Sequence, residues 1–420
     1  MQPPIRVRFT AFVGAVFLAA LGSAACSRGT GGSSSANGGP ASGTVIKIGV
    51  DLPLSGSDAS DGVPTENGAK LAVIDANKQH LMAGYTFVAD VLDDAVNGVH
   101  SPNQGAKNIQ SFASDGAVLG VVGPFNSNVA KAEIPLSNNL GLALISPATT
   151  NPDLTKGPPA LQLRTTNPSS ITFFRVCATD DIQGPAGADY AGKVLKLRRA
   201  YLLDDNETYG RGVSDQWARQ FIADGGSVVG HDHITKGQQD FHALLTRAGG
   251  LHPDVVFYGG TTSTGGGLVR KQMADSGLGG TAYFGADGIR NDEFLKVAGT
   301  SASDVYATVA AINADKLAAA KTFLSEYQDQ FHQPVGSYSA NAYAATMVVV
   351  HAIVDAAKAA GGKMPDRAAV LEKLKTTKGF PSIIGSFSFD RNGDTTNKII
   401  SIYEAKNGAW MFLTQQNYAK

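Results

Sequence analysis

Short apolar runs rich in Val, Ile and Tyr recur along the chain: VIKIGVDL from Val45, YTFVADVL from Tyr85, AVLGVVG from Ala117 and LALIS from Leu142. A second series follows, with RAYLLDD from Arg199, DVVFYGG from Asp254, TAYFG from Thr281 and the stretch from Asp304 to Ala311. Between them lie helix-length segments with few breakers, among them Asn67 to Asn77, Val129 to Asn139, Gly212 to Asp224 and Gly267 to Ser276. Strands of this kind alternating with helices predict parallel sheets covered by helices on both faces. The alternation pauses at NPSS, Asn167 to Ser170, and then restarts, which predicts an α/β protein of two doubly wound lobes.

The first 44 residues follow no such pattern. Arg6 and Arg8 precede the apolar run Phe9 to Leu21, whose 13 residues are too few to cross a bilayer core as a helix, so residues 1–25 read as a signal peptide. Ser23, Ala24 and Ala25 then lead to Cys26, an order that resembles the lipobox of bacterial lipoproteins and makes Cys26 the candidate lipidation site. Ser23 stands where such boxes usually carry Leu, which leaves plain cleavage after Ala25 open. From Ser27 to Thr44, 11 of 18 residues are Gly or Ser, so residues 26–44 read as a flexible tether holding the body near a membrane surface.

Composition narrows the function. A chain of 420 residues predicts two or three domains at ~100–200 residues each. Thirty-five Lys and Arg nearly cancel 36 Asp and Glu and no block of like charge occurs, which argues against nucleic acid as a partner. The two cysteines, Cys26 and Cys177, are too few for a disulfide scaffold or a thiolate metal site, and Cys177 in FFRVCAT reads as a small buried hydrophobe.

Ligands of open parallel sheets bind beyond the carboxyl ends of the strands. The loops after the first series of strands are PLSG, GPFNSN and SPATTNP, small and hydroxyl-rich; those after the second are DNETYG, GGTTSTGGG and ADGIRND, which bring acids and a Tyr. One set suits an anionic group and the other a cationic one, as a zwitterion between two lobes requires; the same residues also serve as turn and N-cap residues with no ligand at all.

IKIGVDLPLSG, NGAKLAVIDAN, VVGPFNSN, LALISPATTNPDLT, LLDDNETYGRG and VVFYGG, in this order, resemble the leucine/isoleucine/valine-binding family of ABC-importer substrate-binding proteins, of the type I periplasmic-binding-protein fold. The resemblance implies two lobes joined by three hinge crossovers near 168, 311 and 384. Residues 45–167 plus 311–384 then form lobe 1, and 168–310 plus 385–420 form lobe 2. It implies that Ser127, Ala148 and Thr150 hold the α-carboxylate and α-ammonium of an amino acid, that Asp287 pairs with the ammonium, and that Tyr209 and Tyr338 pack on the ligand. Asp61 and Thr261 fall where aromatic residues are common in branched-chain binders, which implies a more polar side-chain pocket. The positions of the family's first-lobe disulfide fall on Val96 and Asn126.

The expected protein is therefore an extracytoplasmic, lipid-anchored monomer that captures an amino acid or analogue by lobe closure and delivers it to an ABC permease with its ATPase. The rival is a ligand-sensing ectodomain of the same fold. No enzymatic activity or cofactor is expected, since no G-x-S-x-G, H-E-x-x-H or Walker-type sequence occurs. The DRNGD of Asp390, Asn392 and Asp394 departs from a calcium loop at Thr395 and Ser401 and reads as a turn. His231, His233 and His242 have no recognised ligand spacing, so no metal is expected.

Overall fold

A computed structural model of the protein describes residues 44–418. The signal segment, Cys26 and all of the tether but Thr44 lie outside the described residues.

The first sheet has five parallel strands, β1 (Thr44–Leu52), β2 (Tyr85–Asp93), β5 (Val118–Val122), β6 (Leu144–Ser146) and β7 (Phe173–Arg175), in the order β2-β1-β5-β6-β7. A small hairpin of β3 (Ala95–Val96) and β4 (Val99–His100) projects beyond β2. Every residue of β5 is buried, as expected of a central strand covered on both faces. One face packs under α1 (Ala59–Lys78) and α11 (Ser339–Ala359), in a cluster containing Ile48, Val50, Val122 and Val349. The other packs under α2 (Pro102–Ser114) and α3 (Ser127–Leu140), in a cluster containing Ile109, Phe112, Val121 and Ile134. By length and composition α11 could span a bilayer, but 78% of its apolar window is buried in this core.

The second sheet comprises β8 (Arg199–Asp204), β9 (Ser227–His233), β10 (Val255–Gly259), β11 (Ala282–Gly285), β12 (Val305–Val309), β13 (Ile399–Lys406) and β14 (Ala409–Asn417), in the order β14-β13-β12-β11-β10-β8-β9. It is parallel except for the antiparallel pairings of β13 with β12 and with β14. The period of two sorts its side chains. Ala200, Leu202, Val255 and Phe257 meet Trp217 and Phe221 of α6 (Thr208–Ala223), whereas Tyr201, Leu203, Val256 and Tyr258 join Leu245, Val269 and Phe294. Those three residues lie on α7 (His242–Gly249), α8 (Gly266–Met273) and α9 (Asp292–Ala298). Trp217 stacks on Phe221 and Phe257 with centroids 4.5 and 4.7 Å apart.

The chain passes between the lobes three times. Because β7 still pairs with β6, we place the first crossing at 176–179, later than the 168 implied by the family resemblance. NPSS is a turn before an edge strand of lobe 1, not a boundary. We place the second crossing after β12, where the chain returns through α10 (Lys321–Phe331) to α11, and the third between Phe389 and β13. The DRNGD segment is a turn in which Asp390 Oδ1 accepts from the backbone N–H of Asn392 and Asp394.

Candidate functional site

The site lies where the carboxyl ends of both sheets face each other. In lobe 1, Asn126 stands at the N-cap position of α3 without a side-chain capping bond and Ser127 is the first helical residue, so the Ser127 hydroxyl stands among the free N–H groups of the helix start. Its Oγ accepts a long bond, 3.4 Å, from the backbone N–H of Asn151. The loop after β6 is folded by Ser146, whose Oγ donates to Pro124 O at 2.6 Å and accepts from the backbone N–H of Ala148 and Thr149 at 3.2 and 2.9 Å. Asn151 caps the turn Pro152–Leu154, so N-capping does not account for Thr150, whose buried hydroxyl lies beside the Asp180 carboxylate.

This loop is anchored by a residue that the sequence did not reveal. The fully buried Arg175 of β7 donates to the carbonyls of Thr149 and Asn151 at 3.0 and 2.8 Å, to the Thr155 hydroxyl, and to Asp394 Oδ1 at 2.7 Å. Its guanidinium thus grips the carbonyls on either side of Thr150 and ties them to the third crossing. Cys177, buried as expected, donates its thiol to Thr149 O at 3.2 Å.

In lobe 2, Asp287 follows β11 and is 6% exposed. Its Oδ1 accepts from Gln183 Nε2 at 2.6 Å and from the Tyr209 hydroxyl at 3.0 Å, while that hydroxyl accepts from Gly288 N–H at 3.1 Å. Burial pushes the Asp287 carboxyl above its ordinary value, against the bonds from Gln183 and Tyr209. Gly288 permits the close packing: a Cβ there would lie 2.4 Å from the Gly260 carbonyl oxygen and 3.0 Å from the Tyr209 ring.

Ser127 and Ala148 of lobe 1, with Phe125 and Asn126, enclose a small cavity against Tyr209, Thr261, Asp287 and Gly288 of lobe 2. It has room for about one water molecule. Five of the eight expected ligand residues therefore line one space. The other three do not line it. Thr150 is buried in the loop beside Ala148, and Tyr338 packs edge-on against Phe125 with centroids 5.5 Å apart, its buried hydroxyl beside the Asp287 carboxylate. Asp61 borders a wider groove at the cleft mouth with Arg290, Asn291 and Ser337, where it accepts from Asn291 Nδ2 at 2.7 Å. Burial pushes the Asp61 carboxyl well above its ordinary value.

Asp180, at the start of α5 (Asp180–Asp189), is a further acid that sequence reasoning missed. Its carboxylate is buried beside the Thr150 hydroxyl, and burial, followed by the charge of Asp287, raises its carboxyl well above normal against that hydroxyl. The signal was the DD after FFRVCAT; with β7 unrecognised, the loop behind it was not read as a site loop.

The lobes also touch away from this cavity. His100 of β4 joins Asp58 through Nδ1 at 2.8 Å and Glu207 of lobe 2 through Nε2 at 2.7 Å; Asn128 donates to the same Glu207 oxygen at 2.8 Å. Burial lowers the His100 pKa, but the two carboxylates outweigh it and hold it at about 10, so the imidazolium persists at neutral pH. Asn291 reaches across to Asp61, and Asn151 Nδ2 donates to Thr208 O at 2.7 Å.

Against known proteins, the profile of the family described as periplasmic binding protein matches residues 45–409. The Leu/Ile/Val-binding protein BraC3 of Rhizobium johnstonii is 33% identical over 370 residues, covering 86% of this chain and 92% of that one. Among solved structures, the leucine binding protein LivK of Thermotoga maritima superposes with a TM-score of 0.76 at 25% identity, over 89% of this chain and 99% of that one. The branched-chain amino acid transporter substrate binding protein LivJ of Streptococcus pneumoniae, solved in complex with isoleucine, gives 0.76 at 24% identity, over 90% and 100%.

Proposed function

The chain belongs to the periplasmic binding protein family, solute-binding components of ABC transporters rather than enzymes, and from that premise we propose that it captures an α-amino acid between its lobes. The observation that carries this reading is the polarity of the cavity. Ser127 and the N–H groups at the start of α3 face it from one lobe, and the buried Asp287 faces it from the other. Hydroxyls and helix N–H groups neutralise a carboxylate without a full positive charge, and Asp287 with Asp180 behind it supplies the negative partner of an ammonium. Tyr209 and Gln183 fix the Asp287 carboxylate, while Thr150 and Tyr338 bring buried hydroxyls beside Asp180 and Asp287.

The side chain of the solute points toward Thr261 and the Asp61 groove. Polar groups there forfeit the burial, roughly 25 cal/mol per Å², that would select leucine or valine over polar side chains. The closed cavity is smaller than any amino acid, so the solute enters with the lobes parted and the loaded form closes on it less tightly.

Delivery to an ABC permease and its ATPase, and a lipid anchor at Cys26, complete the proposal; the anchor is checked by the mass of the mature N-terminus. Thermal denaturation against a panel of amino acids, amides and small carboxylates tests the capture reading. A cognate amino acid at 100 times its Kd adds about 2.7 kcal/mol of stability. Stabilisation by carboxylates lacking an amine, and by no amino acid, would overturn it, and a response to leucine, isoleucine and valine alone would remove the polar pocket.

A further inference from the structure

His231 and His233 alternate on β9, the edge strand of the second sheet. The period of two places both imidazoles on one face. Asp232 between them points the other way, where its carboxylate takes the Tyr201 hydroxyl and Arg247. On the histidine face the register partner of His233 is Asp204, the last residue of β8, whose side chain is fully buried. His231 Nε2 lies 2.7 Å from Asp204 Oδ2, and His233 Nδ1 lies 2.7 Å from Asp204 Oδ1. One potential ligand atom from each of the three residues falls within 4.8 Å of the others, the one such group of metal-ligand side chains among the described residues. His242, the third histidine considered from sequence, instead pairs with Asp240. The local spacing concealed the cluster because its third member is on the neighbouring strand.

We infer that Asp204, His231 and His233 form a surface site for a divalent transition-metal ion such as Zn²⁺, separate from the solute cleft. Two imidazole nitrogens and a carboxylate are a ligand set for zinc, nickel or copper, not for the hard ions magnesium and calcium. Zinc sits ~2.0–2.2 Å from such ligands. A tetrahedral ion therefore needs the nitrogen–oxygen separations to open to about 3.3 Å, a small rotation for two side chains that are 30% and 45% exposed. Their exposure leaves the remaining coordination positions to water, and the ion would pin the edge strand to its neighbour.

Calorimetric titration of the full chain, purified without a polyhistidine tag and stripped with chelator, tests the site with Zn²⁺ itself. One equivalent should bind, Mg²⁺ should not compete, and His231→Ala and His233→Ala should each weaken binding at least tenfold, while His242→Ala leaves it unchanged. Both histidines are on the surface, so the variants keep the fold, checked by circular dichroism. Absence of zinc binding, or binding that survives both His231→Ala and His233→Ala undiminished, overturns the inference.

Discussion

Asp287 is held in a conformation that two side chains of its own lobe prepare. Gln183 and Tyr209 both donate to one oxygen and leave the carboxylate directed at the cavity, while burial makes an unpaired charge there costly. On the proposed function an arriving ammonium removes that cost, so Asp287→Ala should weaken amino-acid binding by about 2–5 kcal/mol, the range for stranding one partner of a buried charged pair. Calorimetry with the best panel solute measures it, and unchanged affinity would remove Asp287 from the site. At the cleft mouth, Asp61→Leu should shift the preference between leucine and glutamine toward leucine by roughly tenfold, the value of ~55 Å² of added apolar burial at 25 cal/mol per Å². Equal loss for both solutes would show that Asp61 serves only to bind Asn291.

Arg175 shows how a strand of three residues governs a loop. It comes from β7, yet its guanidinium fixes the carbonyls around Thr150 and meets Asp394 from the third crossing. Burial would raise the Asp394 carboxyl, but Arg175 outweighs it and holds the pKa below the ordinary 3.8. The pair therefore contributes fully above about pH 3.8, and the contribution is lost as pH falls through the lower folded value. Asp394→Asn should cost about 3–5 kcal/mol in urea unfolding at pH 7, because it leaves Arg175 buried and uncompensated. A cost under 1 kcal/mol would show that solvent reaches the pair.

The same strand marks where the sequence stopped being legible. The long apolar strands of both sheets were readable, because central parallel strands are apolar throughout and flanked by Gly-rich turns. With only three residues, β7 offers no periodicity, and Arg175 at its end disguises a buried position. The β13–β14 hairpin was also missed, although its signal was present: Asn407 and Gly408 both have positive φ, at 54° and 73°, as an Asn-Gly two-residue turn requires. Of the site, Ser127, Ala148, Tyr209, Thr261 and Asp287 were traceable as loop residues behind recognisable strands. Asp180, Gln183 and Arg175 were not, since they become site residues only through the late first crossing.

At the scale of the molecule, three buried groups, His100, Asp205 and Asp51, push stability in the same direction as pH rises. His100 is raised from 6.5 to about 10, so its contribution is whole below about pH 6.5 and is lost as pH rises through about 10. Asp205, pushed up to about 7 by burial and then by the charge of Glu207, and Asp51, at about 6 chiefly through burial, bind protons in the folded state that the unfolded chain has released. They too favour folding at lower pH. The Tm should therefore fall steadily from pH 6 to pH 10; a flat or rising profile would show these groups to be solvated. His100→Gln should flatten the alkaline part of that slope.

The narrowness of the cavity has a kinetic meaning. With space for about one water between the closed lobes, nothing the size of an amino acid passes in or out until His100 and Glu207, and Asp61 and Asn291, have separated. The lifetime of a captured solute is then set by how often the lobes part, a quantity written partly into contacts, such as that of His100 with Glu207, that lie outside the cavity.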